Sequence, residues 1–195
     1  FFGYAAGVGK TYAMLQAALM AEERGMDVVI GSIAPYRSLE DTALAERLRA
    51  MERLEKFDLD QAIRRKPDLI LMDDLACENP RGSRHSRRYQ DIRELLKAGI
   101  SVYTTVSAQN IESLNDIVTA ITRVPVKDRI PDSVFDHADQ VELVDIEPED
   151  LILRLQSGKV YRPGQARRAL DHFFTKENLD CLLYTSPSPR DRTRS

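Results

Sequence analysis

The opening stretch of the chain constrains it most. Two apolar residues, Phe1 and Phe2, lead into Gly3-Tyr4-Ala5-Ala6-Gly7-Val8-Gly9-Lys10-Thr11. That segment runs straight into Tyr12-Ala13-Met14-Leu15-Gln16-Ala17-Ala18, a strong helix-forming sequence. Strand, glycine loop and helix, in that order, are what a phosphate-binding P-loop requires. Gly7 and Gly9 let the backbone wrap tightly with no Cβ in the way. Consecutive N–H groups then form an anion nest, and the helix N-terminus adds its partial positive charge. Lys10 is expected to reach the β- and γ-phosphates of a nucleotide, and the Thr11 hydroxyl to ligate Mg²⁺. One departure stands out. The strict spacing places a glycine five residues before Gly9, where this chain has Tyr4; Gly3 lies one place earlier. Either the loop is one residue longer than usual or Tyr4 lines the nucleotide site.

The second informative stretch is Pro67-Asp68-Leu69-Ile70-Leu71-Met72-Asp73-Asp74. A continuous apolar run suits a central parallel strand buried on both faces. A carboxylate at the C-terminal end of such a strand sits where open α/β sheets bind ligands. Asp73 is therefore the expected second Mg²⁺ carboxylate, and Asp74 the candidate for orienting a water.

The other elements fit the same pattern. Asp27 to Ile30 reads as a strand rich in β-branched residues. Ile100 to Val106 reads as another, delivering Ser107, Gln109 and Asn110 at its tip; Gln109 is the candidate sensor of the γ-phosphate. Asp139 to Asp145 alternates as a fifth. Helices are expected from Ser38 to about Glu55 with Leu44, Leu48 and Met51 as core, from Asp58 to Arg65, from Tyr89 to Lys97, from Glu112 to Thr122 with Leu114, Ile117 and Ile121 on one face, at Pro131 to Ser133, from Pro148 to Gln156, and from Pro163 through Phe174. Gly25 suits a helix C-cap. Strands interleaved with helices predict an α/β, three-layer P-loop NTPase-like domain with a mainly parallel sheet of about five strands.

Between Cys77 and Arg88 lies a donor-rich loop: Asn79, Arg81, Ser83, Arg84, His85, Arg87 and Arg88. Two readings stand, contacts to phosphate or substrate and a solvated or docking face. At the other end, the helical pattern is expected to stop at Cys181. The Ser186–Ser195 segment is low-complexity and basic, and residues 181–195 read as a non-native or disordered tail after a domain spanning 1–180.

Composition excludes several classes. The net charge is −3, and the tail (Arg190, Arg192 and Arg194 against Asp191) makes the body more acidic still, which argues against a nucleic-acid binder. No apolar run is long enough to span a bilayer, so no direct membrane contact is expected. Cys77 and Cys181 share no metal-type spacing and suit a reducing cytosol. The chain opens inside a strand and without Met, with no charged leader, and reads as a fragment truncated just upstream of the loop.

Several stretches together carry a resemblance. They are Gly3 and Gly7 through Leu15, Asp73-Asp74-Leu75-Ala76, Gly82-Ser83-Arg84-His85, Arg88-Tyr89-Gln90-Asp91, Val102-Tyr103-Thr104-Thr105, Ile111 to Asp116, Pro131 to Val134, Glu142 to Asp145 and Gly158-Lys159-Val160-Tyr161. Over about residues 1–180 the chain resembles the N-terminal cytoplasmic domain of the KdpD family of potassium-sensing histidine kinases. The resemblance implies ATP and Mg²⁺ as cofactors at the loop, with Gly7, Val8, Gly9, Lys10, Thr11 and Tyr12 around the nucleotide. It also implies further domains of the same sensor kinase, four membrane helices among them, and a cognate response regulator as partners. The location it implies is the cytoplasmic face of the inner membrane. Two departures bear on chemistry rather than binding. The family usually has Asp-Glu-Leu-Ala-His where this chain has Asp73-Asp74-Leu75-Ala76-Cys77, and Gln-His where it has Gln109-Asn110. Three functions are open to test: a regulatory ATP-binding module, a free-standing P-loop small-molecule kinase or ATPase, and an interaction module without nucleotide.

Overall fold

The computed structural model describes residues 1–33, 46–47, 50–54, 57–157 and 173–185. The expected helix from Ser38 to Glu55 lies largely outside them, although Met51 is buried. The Pro163 helix and the 186–195 tail also lie outside. The chain divides into two compact units, one of residues 1–10 and 106–195, the other of Thr11–Thr105.

Residues 11–105 form an α/β unit on a parallel sheet. Helix α1 (Lys10–Glu23) is alanine-rich and buries Met14, Leu15, Ala18 and Leu19 on one stripe. Gly25, at a positive φ of 87°, ends it by donating its N–H to Glu22 O at 2.8 Å. Strand β2 (Val28–Ser32) comes next. Helix α2 (Leu59–Arg65) starts where Asp58 accepts from Gln61 N at 2.7 Å and stops at Lys66, held left-handed before Pro67. Strand β3 (Leu69–Met72) is central, in the order β2–β3–β4 with β4 (Ser101–Thr104), all parallel. All four β3 residues are fully buried, as the unbroken apolar run predicts. Helix α3 (Arg88–Lys97) buries Ile92 and Leu95 and ends before Gly99 at φ 80°.

Residues 1–10 and 106–185 make the other unit. Strand β1 (Phe2–Gly3) pairs in parallel with β5 (Val106–Ser107), after which come a 3-10 turn (Ala108–Asn110) and helix α4 (Glu112–Thr122). Then come α5 (Asp132–Asp136), α6 (Pro148–Gln156, with Pro148 at its first position) and α7 (Lys176–Thr185). The core joins Tyr4, Ala5 and Val8 of the opening segment to Val118 of α4, Leu151 and Leu155 of α6, Phe173, Phe174, and Leu179 and Leu182 of α7.

Four expectations are corrected. Among the described residues the parallel strands form one sheet of three and one of two, not a single sheet of five. The strand expected over Ile100–Val106 is broken at Thr105, whose side chain is engaged elsewhere, so that β4 and β5 belong to different sheets. Asp139–Asp145 is not a strand. Its backbone meets β1 at one bridge, Phe2 with Leu143, because β1 is only two residues long. Finally, the helical pattern does not stop at Cys181: α7 continues to Thr185 and buries Leu182. Among the described residues no helix is long and apolar enough to cross a membrane.

Candidate functional site

The candidate residues fall into a loop in the first unit and a strand end in the second. In the loop, Gly3 has no room for a side chain. A Cβ there would lie 2.6 Å from Val8 Cγ2, 3.0 Å from Val144 O and 3.1 Å from Lys10 Cδ. The loop thus folds back so that Val8 and the Lys10 stem lie over Gly3. Gly7 and Gly9 make the return, with φ of 88° and 108°. The Lys10 ammonium donates to Ala5 O at 2.8 Å, inside its own loop. Tyr4 is fully buried, and its hydroxyl donates to Ile146 O at 2.9 Å. Burial, with Asp145 and Glu147 nearby, pushes its phenol well above the ordinary tyrosine range. Of the two readings of the shifted glycine, the one that has Tyr4 lining a nucleotide site is therefore overturned: Tyr4 is a core residue. Gly3 supplies the close approach instead.

A residue absent from the sequence-based candidates lies at the same loop. The Arg154 guanidinium, from the last turn of α6, has Nη1 3.5 Å from Val8 O and 3.5 Å from where a Gly9 Cβ would stand. Nothing in the sequence flags it, because it is one arginine among many on a solvated helix face.

At the strand end, Asp73 is 1% exposed and collects hydroxyl donors. Thr11 Oγ1 donates to its carboxylate, 3.1 Å from Oδ1 and 3.3 Å from Oδ2, and Thr105 Oγ1 donates to Oδ1 at 2.6 Å. Backbone contacts fix the main chain there: Asp73 N–H donates to Ser32 O, and Arg88 Nη1 to Asp73 O. The expected pair Thr11 and Asp73 is brought together. Thr105 is the second residue that sequence reasoning misses, in favour of Gln109. A polar residue at the end of the strand next to β3 is the signal that could find it.

Asp74 differs from its neighbour. It is exposed and left-handed, with φ 58°, and its N–H donates to Thr105 Oγ1 at 3.0 Å. Aspartate tolerates this conformation better than most residues. Tyr12 is 45% exposed and accepts from Gln16 one turn along α1. Gln109 sits in the 3-10 turn, its Oε1 buried without a hydrogen-bond partner among the described residues.

The arginine-rich loop is largely cross-braced. Arg84 pairs with Asp60 and Glu94, His85 Nε2 lies 2.6 Å from Glu94 Oε1, and Arg87 pairs with Glu78. The His85 ring and then the Arg84 guanidinium hold the Glu94 carboxyl below its ordinary range, whereas burial pushes that of Asp91 up despite the 2.6 Å hydrogen bond from Asn79. Arg84 and Arg87 thus face acids, which favours the structural reading of these two cations over phosphate contact.

The chemistry of the strand end is that of a hard-cation site. A hydroxyl and a carboxylate are oxygen donors of the kind Mg²⁺ takes, few in number when substrate phosphate and water complete the shell. Among the described residues no group of three or more His, Cys, Asp or Glu side chains is gathered to hold a metal.

Comparison with known proteins agrees with the sequence resemblance. A family model for the KdpD osmosensitive K⁺ channel His kinase sensor domain matches residues 1–184. The chain is 52% identical over 191 residues to the sensor protein KdpD of Clostridium acetobutylicum and 49% identical over 191 residues to that of Escherichia coli, covering 93% of this chain and 21% of each relative. It is 40% identical to a putative sensor protein KdpD of Synechocystis, covering 52% of that protein. The chain thus spans about a fifth of the first two relatives and about half of the third. With nearly its whole length matched, the chain belongs to the KdpD family of osmosensitive K⁺ channel histidine-kinase sensor domains.

Proposed function

We propose that this domain binds Mg-ATP and serves as the nucleotide-occupied regulatory part of a membrane sensor histidine kinase, in a two-component system controlling potassium uptake. Its fold is read as P-loop NTPase-like. The support is the glycine loop leading into α1 and the acidic end of the fully buried strand β3. The observation that carries the reading is the Thr11 hydroxyl on the Asp73 carboxylate at 3.1 Å. That hydroxyl and carboxylate, from residues distant in sequence, are the pair that holds Mg²⁺ in P-loop proteins.

In this reading Gly7, Val8, Gly9 and Lys10 cradle the phosphates with backbone N–H groups and the Lys10 ammonium, and Tyr12 flanks the nucleotide. Thr11 and Asp73 hold the metal. Thr105 fixes the Asp73 carboxylate by donating to Oδ1, leaving Oδ2 the freer oxygen. Bound Mg²⁺ would neutralise phosphate charge. The first turn of α1 carries no acidic residue to oppose an anion at its N-terminus. Gln109 remains the candidate phosphate sensor on sequence grounds alone. Asp74 is exposed, and its side chain is one methylene shorter than glutamate, so water activation is weak and the bound state is long-lived. The partners are further domains of the same kinase and, through them, its response regulator, on the cytoplasmic face of the membrane.

Calorimetric titration of Mg-ATP tests this. Binding in the micromolar to millimolar range is expected, about −4 to −8 kcal/mol. Lys10→Ala should weaken it at least tenfold. Equal affinity of wild type and Lys10→Ala would overturn the assignment.

A further inference from the structure

We infer that Arg154 is a second cationic ligand of the anion held by the Gly7–Lys10 loop, contacting its phosphate chain alongside Lys10. The inference rests on the Mg-ATP reading. It comes from three observations on the unit that contains both loop and helix α6. First, the guanidinium is parked on the loop: Nη1 stands 3.5 Å from Val8 O and 3.5 Å from the position of a Gly9 Cβ. It therefore covers the face of a glycine held at φ 108°, in a glycine turn of the kind whose backbone N–H groups can cradle an anion. The contact with Val8 O is at the long limit of a hydrogen bond and leaves the other four N–H donors of the fork unused among the described residues.

Second, Arg154 has no carboxylate partner among the described residues, although carboxylates are plentiful. Arg47, Arg65, Arg84, Arg87 and Arg129 are ion-paired, whereas Arg154, like Arg64, Arg81 and Arg93, has no ion pair among the described residues. On α6 itself the first-turn Glu149 is engaged by Lys176 at 2.6 Å. Asp150, one turn before Arg154 on α6, does not pair with it either, so this exposed arginine, resting on a carbonyl of the glycine loop, keeps its fork available for an anion. Third, the loop supplies no acid of its own, since residues 3–10 contain none. Lys10 and Arg154 are thus both cationic groups whose heads contact the loop's backbone, one from within and one from α6. Lys10 provides a point charge. Arg154 provides a planar fork able to grip two phosphate oxygens, which a lysine at that position cannot reproduce.

A helix-end arginine is also favoured by the α6 dipole, so the test must separate a nucleotide role from a structural one. The experiment is titration of Mg-ATP and of AMP into the 195-residue chain carrying Arg154→Gln or Arg154→Lys, beside wild type and Lys10→Ala, with thermal unfolding of each without nucleotide. The expected result is a roughly tenfold loss of Mg-ATP affinity in Arg154→Gln, a smaller loss in Arg154→Lys, little change for AMP, and an unliganded melting temperature close to wild type. Wild-type Mg-ATP affinity in Arg154→Gln would overturn the inference while leaving the Mg-ATP reading intact. A lowered melting temperature in both variants, with affinity unchanged in whichever folds, would assign Arg154 to structure alone. Absence of Mg-ATP binding by wild type would overturn the underlying reading itself.

Discussion

The Gly3–Lys10 loop, which offers donors, and the Asp73 strand end, which offers an acceptor, are built from different materials. The loop is shaped by backbone: two glycines at positive φ, a third with no space for a Cβ, and a lysine that caps its own chain at Ala5 O. The strand end is shaped by side chains: two threonine hydroxyls, from positions 11 and 105, converge on one buried carboxylate. A backbone-made feature is written in contiguous sequence and tolerates few substitutions. A side-chain-made feature is scattered along the chain, and each member can be removed singly. The two should therefore respond differently to mutation.

The largest expected effect is at Asp73. Asp73→Ala leaves two buried hydroxyls without their acceptor, at about 1–3 kcal/mol each, and should also abolish any Mg²⁺ dependence of ATP binding. Denaturant unfolding and titration with and without Mg²⁺ check both. Next comes Gly3→Ala, whose methyl group meets Val8 and a backbone oxygen of Val144. A loss of about 1–3 kcal/mol is expected, several degrees of melting temperature for a chain of this size. Retention of wild-type stability would show that the loop is more pliable than its packing implies. Thr105→Val should cost about 1–2 kcal/mol, because it removes a donor to Asp73 and the acceptor of Asp74 N–H together. If instead it is neutral, the strand end does not depend on its side chains.

The smallest effects are expected at Asp74. Asp74→Asn keeps a residue that tolerates φ 58°, so stability should stay within about 0.5 kcal/mol and ATP affinity should be unchanged. Asp74→Glu should lose up to about 1 kcal/mol, since glutamate is less at ease in that conformation. Wild-type turnover should be far below about 1 s⁻¹, the lower end of usual enzyme rates. Steady ATPase activity at or above it would favour an enzyme over a regulatory module.

This contrast also explains what is legible in the sequence. The glycine loop, strand β3 and Asp73 can be read there because each is a local pattern: glycine spacing, an unbroken apolar run, and a carboxylate at its end. Helix Glu112–Thr122 is legible in its bounds but not in its face. Periodicity puts the stripe Leu114, Ile117 and Ile121 inside, yet Ile117 is 43% exposed and Asn115, Val118 and Thr122 are buried. Asn115 is inside because its amide donates to Gln109 O and Val126 O, a polar demand that hydrophobic periodicity does not register. The Asp139–Asp145 segment alternates like a strand, but a two-residue β1 gives it a single rung to pair with. Leu182 falls in the segment that composition marks as tail, because the residues after Thr185 are polar and basic. Its burial predicts instead that deleting residues 181–195 costs stability; Leu182→Ala alone should cost about 2–5 kcal/mol by denaturant unfolding.

The most direct test of the central claim is ATP affinity measured by calorimetry with Mg²⁺ and with EDTA, in wild type and in Thr11→Val. If Thr11 and Asp73 hold the metal of bound Mg-ATP, Mg²⁺ should tighten wild-type binding at least tenfold and leave Thr11→Val nearly unchanged. Binding of ATP that is equally tight without Mg²⁺, or equally Mg²⁺-dependent in Thr11→Val, would contradict the account.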